Sequence, residues 1–129
     1  MKQEDKKLLL QDLCGRLPYD VKCQIEKWGR IYDVCTVYKI DSAGFIEIVE
    51  NSDINYINIE RIKPYLFPMS SMTDIQKEIY KTYKENLKDE KYFIENFTSL
   101  QYWLYANHFD VNKLIEKGLA IDATGLNIY

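Results

Sequence analysis

The chain of 129 residues contains one histidine, three cysteines, three prolines and five glycines, and each scarcity removes a class of chemistry. With His108 standing alone, a multi-histidine metal centre is excluded. Cys14, Cys23 and Cys35 are odd in number and at least nine positions apart, which yields neither a disulfide framework nor a C-x-x-C redox or zinc pair. A reducing compartment suits them. The glycines are isolated, and none stands in the strand-Gly-x-Gly-x-x-Gly-helix grammar of a phosphate loop. No apolar run approaches the ~20 residues of a membrane span. Leu8-Leu9-Leu10, interrupted by Gln11 and Asp12, is too short for the apolar centre of a signal peptide. The expectation is a cytoplasmic protein with no cofactor, no metal ligands and no membrane contact.

A surplus of one charge sign is also missing. The net charge is −3; residues 1–64 carry ten basic and eleven acidic side chains, and residues 65–129 carry seven and nine. Proteins that track nucleic acid cluster Lys and Arg, because neutralised phosphates supply most of the non-specific affinity. Nucleic acid is therefore disfavoured. A hydrophobic fraction of 47% and a charged fraction of 29% are globular values, and the length suits one domain, 1–129, with one core.

What is present is a change of period along the chain. Leu10, Leu13, Cys14 and Leu17 recur at helical spacing, predicting a helix from about Gln3 to about Cys14 with Gly15 as its stop. Val21, Cys23 and Ile25 then alternate with polar residues as in a half-buried strand, and Lys27-Trp28-Gly29-Arg30 reads as a hairpin. A second strand, about Ile31 to Ile40, places Tyr32, Val34, Thr36, Tyr38 and Ile40 on one face. Asp41-Ser42-Ala43-Gly44 is a turn; strands follow over Phe45 to Val49 and Tyr56 to Ile59, separated by Asn51-Ser52-Asp53.

Beyond Pro64 and Pro68 the signals are helical. Thr73-Asp74-Ile75-Gln76 is a capping box that opens a helix with Ile75, Ile79, Tyr83 and Leu87 on one stripe. A second box, Thr98 to Gln101, opens another with Leu100, Trp103, Leu104 and Asn107 together. Asp110 caps a third, shorter helix with Val111, Leu114 and Ile115 inward and Gly118 at its end. The fold class is α+β: an N-terminal helix within 1–18, a small antiparallel β-meander over 19–64 forming an SH3-like or Sm-like partial barrel, and two to three helices over 65–129.

The chemistry-bearing residues have structural readings beside the functional ones. His108 and Asp110 read as a cationic imidazole at a helix C-terminus and a cap at the next helix start, which outweighs a catalytic pair. Lys77, Lys81, Lys84, Lys88 and Lys91 are interleaved with Asp74, Glu78, Glu85 and Asp89, the pattern of a solvated helix face. The outstanding feature is aromatic content: eleven tyrosines, and between Tyr92 and Phe109 seven aromatic residues, more than one helix can bury. Trp103 and Phe109 are assigned to the core. Tyr102 and Tyr105, with Tyr92 and His108 nearby, form a candidate partner surface, since aromatic side chains anchor interfaces at low rotamer cost.

Three stretches carry a resemblance: Asp12-Leu13-Cys14-Gly15-Arg16-Leu17-Pro18-Tyr19; Ile62-Lys63-Pro64-Tyr65-Leu66-Phe67-Pro68-Met69-Ser70-Ser71-Met72-Thr73; and Trp103-Leu104 with His108-Phe109-Asp110 through Leu114-Ile115-Glu116-Lys117-Gly118-Leu119-Ala120. Together they resemble a family of short uncharacterised proteins from gut anaerobic bacteria and their phages or prophages. The resemblance implies a mobile-element protein acting inside a bacterial cell, and it carries over no catalytic residue. The matching segments fall at joints between strands and helices, where Arg16 is the one charged residue suited to burial with hydrogen bonds.

The resulting reading is a non-enzymatic binding module whose partner is a protein, of the host, of the phage, or a second copy of the chain. The alternative is an accessory or counter-defence protein that sequesters a nucleotide-like ligand, with Arg16, Lys63, Tyr65 and the tyrosines of the second strand as anion and stacking contacts. An enzyme built on His108 and Asp110 ranks last.

Overall fold

The structure, a computed structural model, describes residues 1–41, 43–50 and 52–129; the expected turns at Asp41–Gly44 and Asn51–Asp53 each include one residue outside that set. Helix α1 (Gln3–Arg16) precedes strands β1 (Lys22–Lys27), β2 (Arg30–Ile40), β3 (Ile46–Glu50), β4 (Asp53–Ile57) and β5 (Ile62–Leu66). Helices α2 (Asp74–Asn86) and α3 (Phe93–Ala106) follow, and a two-residue strand β6 (Ile121–Asp122) lies near the C-terminus. The strand order is β4-β3-β2-β1-β5-β6, antiparallel except for β5–β6, and the sheet stays open. This is the expected α+β architecture with two C-terminal helices.

The β1–β2 hairpin forms where expected because Trp28 and Gly29 both adopt positive φ, the requirement of a two-residue hairpin turn matched to strand twist. The single face expected for β2 does not form. Its register shifts between the partners of Cys23 and Ile25, and again between Val37 and Lys39. Each shift changes the phase of the alternation. Cys35 and Val37 are buried between half-buried Tyr32 and Ile40, while Val34 and Tyr38 are exposed. The bulged strand bends, so its first half pairs with β1 and its second half with β3.

Strand β4 ends at Ile57, earlier than expected, because Asn58 caps a single 3-10 turn through its side chain and diverts Ile59 from the ladder. The sequence reading stopped there and missed β5. Its Pro64 faces Cys23 of β1, and β6 joins only from Tyr65 onward, so the proline occupies an edge position where its missing N–H is tolerated.

In the helical half the Thr73 box forms as expected, with Thr73 Oγ1 accepting from the Gln76 backbone and Gln76 Oε1 accepting from the Thr73 backbone. The packed stripe of α2 is nevertheless Tyr80, Tyr83 and Leu87, while Ile75 and Ile79 face outward. The second box is not a helix start, because α3 begins at Phe93 and the Thr98 and Ser99 hydroxyls bond back to the carbonyls of Ile94 and Glu95. The third helix is replaced by turns, with Lys113 at φ 57° and Gly118 at φ 72°.

Buried residues fall into two clusters where one core was expected. The larger lies between the sheet, α1 and the 114–120 segment, with Leu9, Leu13, Ile46, Ile48, Leu66 and Leu114 sealed from solvent. The smaller comprises Met72, Leu100, Leu104 and Phe109, edged by Tyr80, Tyr83, Leu87 and Trp103.

Candidate functional site

The two clusters meet at Arg16. Helix α1 buries Leu9, Asp12, Leu13 and Arg16, one residue out of phase with the expected apolar stripe, so two of its four inward positions are charged. Burial of a lone charge is prohibitive, and the pair answers it with paired geometry. Arg16 Nε donates to Asp12 Oδ2 at 2.6 Å, and Nη2 donates to Asp12 Oδ1 at 3.1 Å and to the Phe109 carbonyl at 2.6 Å. Asn112 Nδ2 donates to Asp12 Oδ1 at 2.8 Å. The Tyr105 ring lies 4.8 Å from the Arg16 guanidinium carbon. A Cβ on Gly15 would come within 2.9 Å of that ring. Gly15 is thus not the expected stop signal; it lies within α1, and its bare Cα admits Tyr105.

Phe109 reaches Arg16 because of how α3 ends. His108 N donates to the Tyr105 carbonyl and Phe109 N to the Leu104 carbonyl, the paired bonds of a Schellman ending with His108 in the left-handed position at φ 62°. Phe67 N then donates to the His108 carbonyl, and Asp110 N to the Phe67 carbonyl. Residues from three separate stretches, 12–19, 62–73 and 103–120, therefore converge on one junction.

The expected roles at this junction change. Burial, followed by repulsion from Arg16 and Lys22, pushes His108 down to about 4, against the smaller opposing effect of Asp20, so the imidazole is neutral rather than cationic. Its ring stacks on Tyr129 at 3.5 Å, and Nδ1 is buried without a partner. Asp110 acts as a cap without a helix: its two oxygens accept from the backbone of Leu114 and Ile115. The imidazole is held by stacking and the carboxylate by backbone N–H groups, and among the described residues no hydrogen bond joins the two.

The proposed ligand contacts are dispersed. Arg16 is sealed against Asp12, Tyr65 is buried with its hydroxyl donating to the Asp33 carbonyl, and Lys63 is exposed opposite Gln24. The cysteines offer no nucleophile beside His108. Cys23 and Cys35 face each other across β1 and β2, burial raises both thiols, Cys35 to about 11, and Cys14 is exposed on α1. Among the described residues no cluster of His, Cys, Asp and Glu is placed to hold a metal ion, and no helix is long and apolar enough to cross a membrane.

The aromatic surface also divides. Tyr105 turns inward to Arg16, Tyr102 points outward, and Tyr92 precedes α3, about 20 Å from Tyr105 at 1.5 Å per residue. Sequence reasoning counted Phe97 among the seven aromatic residues without placing it on the surface and overlooked Ile94; both are exposed on α3. Phe97 stacks with Phe93, and with Leu100, Gln101, Leu104, Tyr105 and Val111 it lines a mainly apolar groove of about 210 Å³. The signal was available: Phe97, Leu100, Gln101 and Leu104 share one helical face, and from Asn96 to Phe109 no residue is charged. Also overlooked was Tyr129, whose hydroxyl donates to the Tyr65 carbonyl and accepts from the Lys22 backbone.

No family model matches the chain, and no curated protein or solved structure matches it.

Proposed function

We propose that this chain is a binding module, not an enzyme, which engages a protein partner through the outward face of α3. The observation that carries this reading is the composition of α3 beyond its first turn. In a chain with 29% charged residues, the fourteen positions from Asn96 to Phe109 carry none, although Phe97 and Tyr102 stand in solvent. Depletion of charge with enrichment of aromatic residues is what distinguishes interface centres from ordinary surface. The groove beside Phe97 is lined by Leu100, Leu104 and Val111, so it suits an uncharged, apolar segment of a partner protein. The bacterial mobile-element setting implied by the resemblance makes a host or phage protein the natural partner.

The test begins with a partner retained by the immobilised chain, purified and rebound in isolation. Combined Phe97→Ser and Tyr102→Ala substitutions are expected to weaken that binding about tenfold or more, since interface anchors carry most of the affinity. Thermal stability should be almost unchanged, and bound partner should protect α3 amides from hydrogen exchange. Binding that survives both substitutions, or the absence of any partner that they release, overturns the reading.

A further inference from the structure

Strand β4 is an open edge of a kind that folded proteins ordinarily protect. It pairs with β3 in unbroken register from Ile46–Ile57 to Glu50–Asp53, and among the described residues no strand lies on its other side. Asp41 N donates to the Phe45 carbonyl, so the N–H and C=O of Ile46 point to Ile57 of β4, and the alternation of the antiparallel ladder leaves those of Ile54 and Tyr56 on the free side. Their side chains are exposed as well, 57% and 63%. Edges are usually blunted by proline, lysine or a bulge; Asp53-Ile54-Asn55-Tyr56-Ile57 itself has none of these, and Lys27 of the β1–β2 hairpin engages the strand through the Asn55 side chain, donating to Oδ1 at 2.8 Å. Trp28, 84% exposed at the hairpin tip, stands alongside and lines clefts at both ends of the strand.

The charges along this edge select the occupant. One cleft beside Trp28 contains Glu50 and Asp53, at the start of β4; the other contains Arg61, just past its end; Lys27 lines both, which leaves an acidic surplus in the first and a basic one in the second. An edge that is acidic at one end and basic at the other is complementary to itself when reversed.

We propose that β4 pairs antiparallel with β4 of a second copy about a two-fold axis near Asn55, joining two open sheets into one. This arrangement brings Ile54 opposite Tyr56 of the second copy, a β-branched and aromatic cross-strand pair, and sets the acidic end beside the partner's basic end. The proposal does not rest on the α3 reading.

Sedimentation or light scattering is expected to show a species of roughly twice the 15.4 kDa chain mass, favoured by low ionic strength. Tyr56→Pro removes an outward N–H without touching the β3 ladder and should raise the dimer dissociation constant about tenfold or more. Ile54→Lys should do the same by placing a like charge near the axis on both copies, and it serves if the proline variant fails to fold. Phe97→Ser should leave the dimer intact. A wild-type chain that stays monomeric at high concentration, or a dimer that persists in a folded β4 variant, overturns the proposal.

Discussion

The sheet half and the helical hairpin solve the problem of burial differently. Around the sheet, Leu9, Leu13, Ile46, Ile48 and Leu66 are fully enclosed, because β-strands, α1 and the 114–120 segment cover the core from several sides. The hairpin core rests on Met72, Leu100, Leu104 and Phe109, each still touched by solvent, and α2 and α3 leave Ile75, Ile94 and Phe97 outside. Two helices present more apolar surface than they can cover for each other. The difference teaches that the hairpin's surplus is a property of its placement: it sits on the rim of an otherwise satisfied domain and keeps one face uncommitted.

That contrast depends on the joint at Arg16, and the largest effect is expected there. Arg16→Leu strands a buried carboxylate and should cost about 3–5 kcal/mol, whereas Asp12→Leu combined with Arg16→Leu should recover much of the loss, because well-packed apolar replacements of buried pairs are often near neutral. Denaturant titration of the single and double variants checks both values. Equal loss in the two would show that Asn112 and the Phe109 carbonyl, rather than charge pairing, dominate the joint.

A smaller effect should separate the two cores directly. Leu13→Ala and Leu100→Ala remove the same atoms, within the roughly 2–5 kcal/mol range of such truncations. The value for Leu13 should be larger, since its site is enclosed and cannot collapse or fill with water as readily as a site near the surface. Native-state hydrogen exchange should likewise show α2 and α3 opening before β1 and β2. Equal values would dissolve the distinction drawn above.

The smallest effect concerns pH. The folded His108 has its pKa pushed down to about 4 from an ordinary value near 6.5. Between those limits the unfolded chain binds a proton that the folded chain refuses, so this contribution is fully present above pH 6.5 and is lost as pH falls toward 4. At 1.36 kcal/mol per pKa unit the whole shift would correspond to roughly 3 kcal/mol, and solvent screening of this partly exposed ring reduces the expected loss to about 2 kcal/mol. Asparagine tolerates the left-handed backbone at this position, so His108→Asn should flatten that part of the profile without disturbing the turn.

Much of the fold was legible where local chemistry decides it. The positive-φ turn at Trp28-Gly29 and the reciprocal box at Thr73 and Gln76 are self-contained signals, and both form. Features decided by distant partners were hidden. Burial of Arg16 was readable from its place at a joint, but apolar periodicity still placed the inward face of α1 one residue away because it cannot count Asp12 and Arg16 as buried, and the carbonyl that Arg16 meets lies 93 residues along the chain. Strand β5 carries a proline, β6 has two residues, and both exist only because neighbours supply the ladder. The shifts in β2 escaped a strict two-residue alternation for the same reason. At the candidate site, the charge-free run from Asn96 to Phe109 was readable, but which of its aromatic residues face outward was settled by Gly15 admitting Tyr105.

The bonds at the junction also set an order of events. Arg16 to Phe109, Asp12 to Asn112 and Lys22 to Tyr129 close loops of 93, 100 and 107 residues. Local hairpins and helices can form while the chain emerges from the ribosome, but these closures wait for its last segment. Until then the Asp12–Arg16 pair lies at an unfinished surface, where water can solvate it and burial has not yet been demanded. The charged pair that makes α1 awkward in the finished molecule thus makes it tolerable in the nascent one: a helix whose inward face stays hydrated until residues 109–129 arrive to seal it.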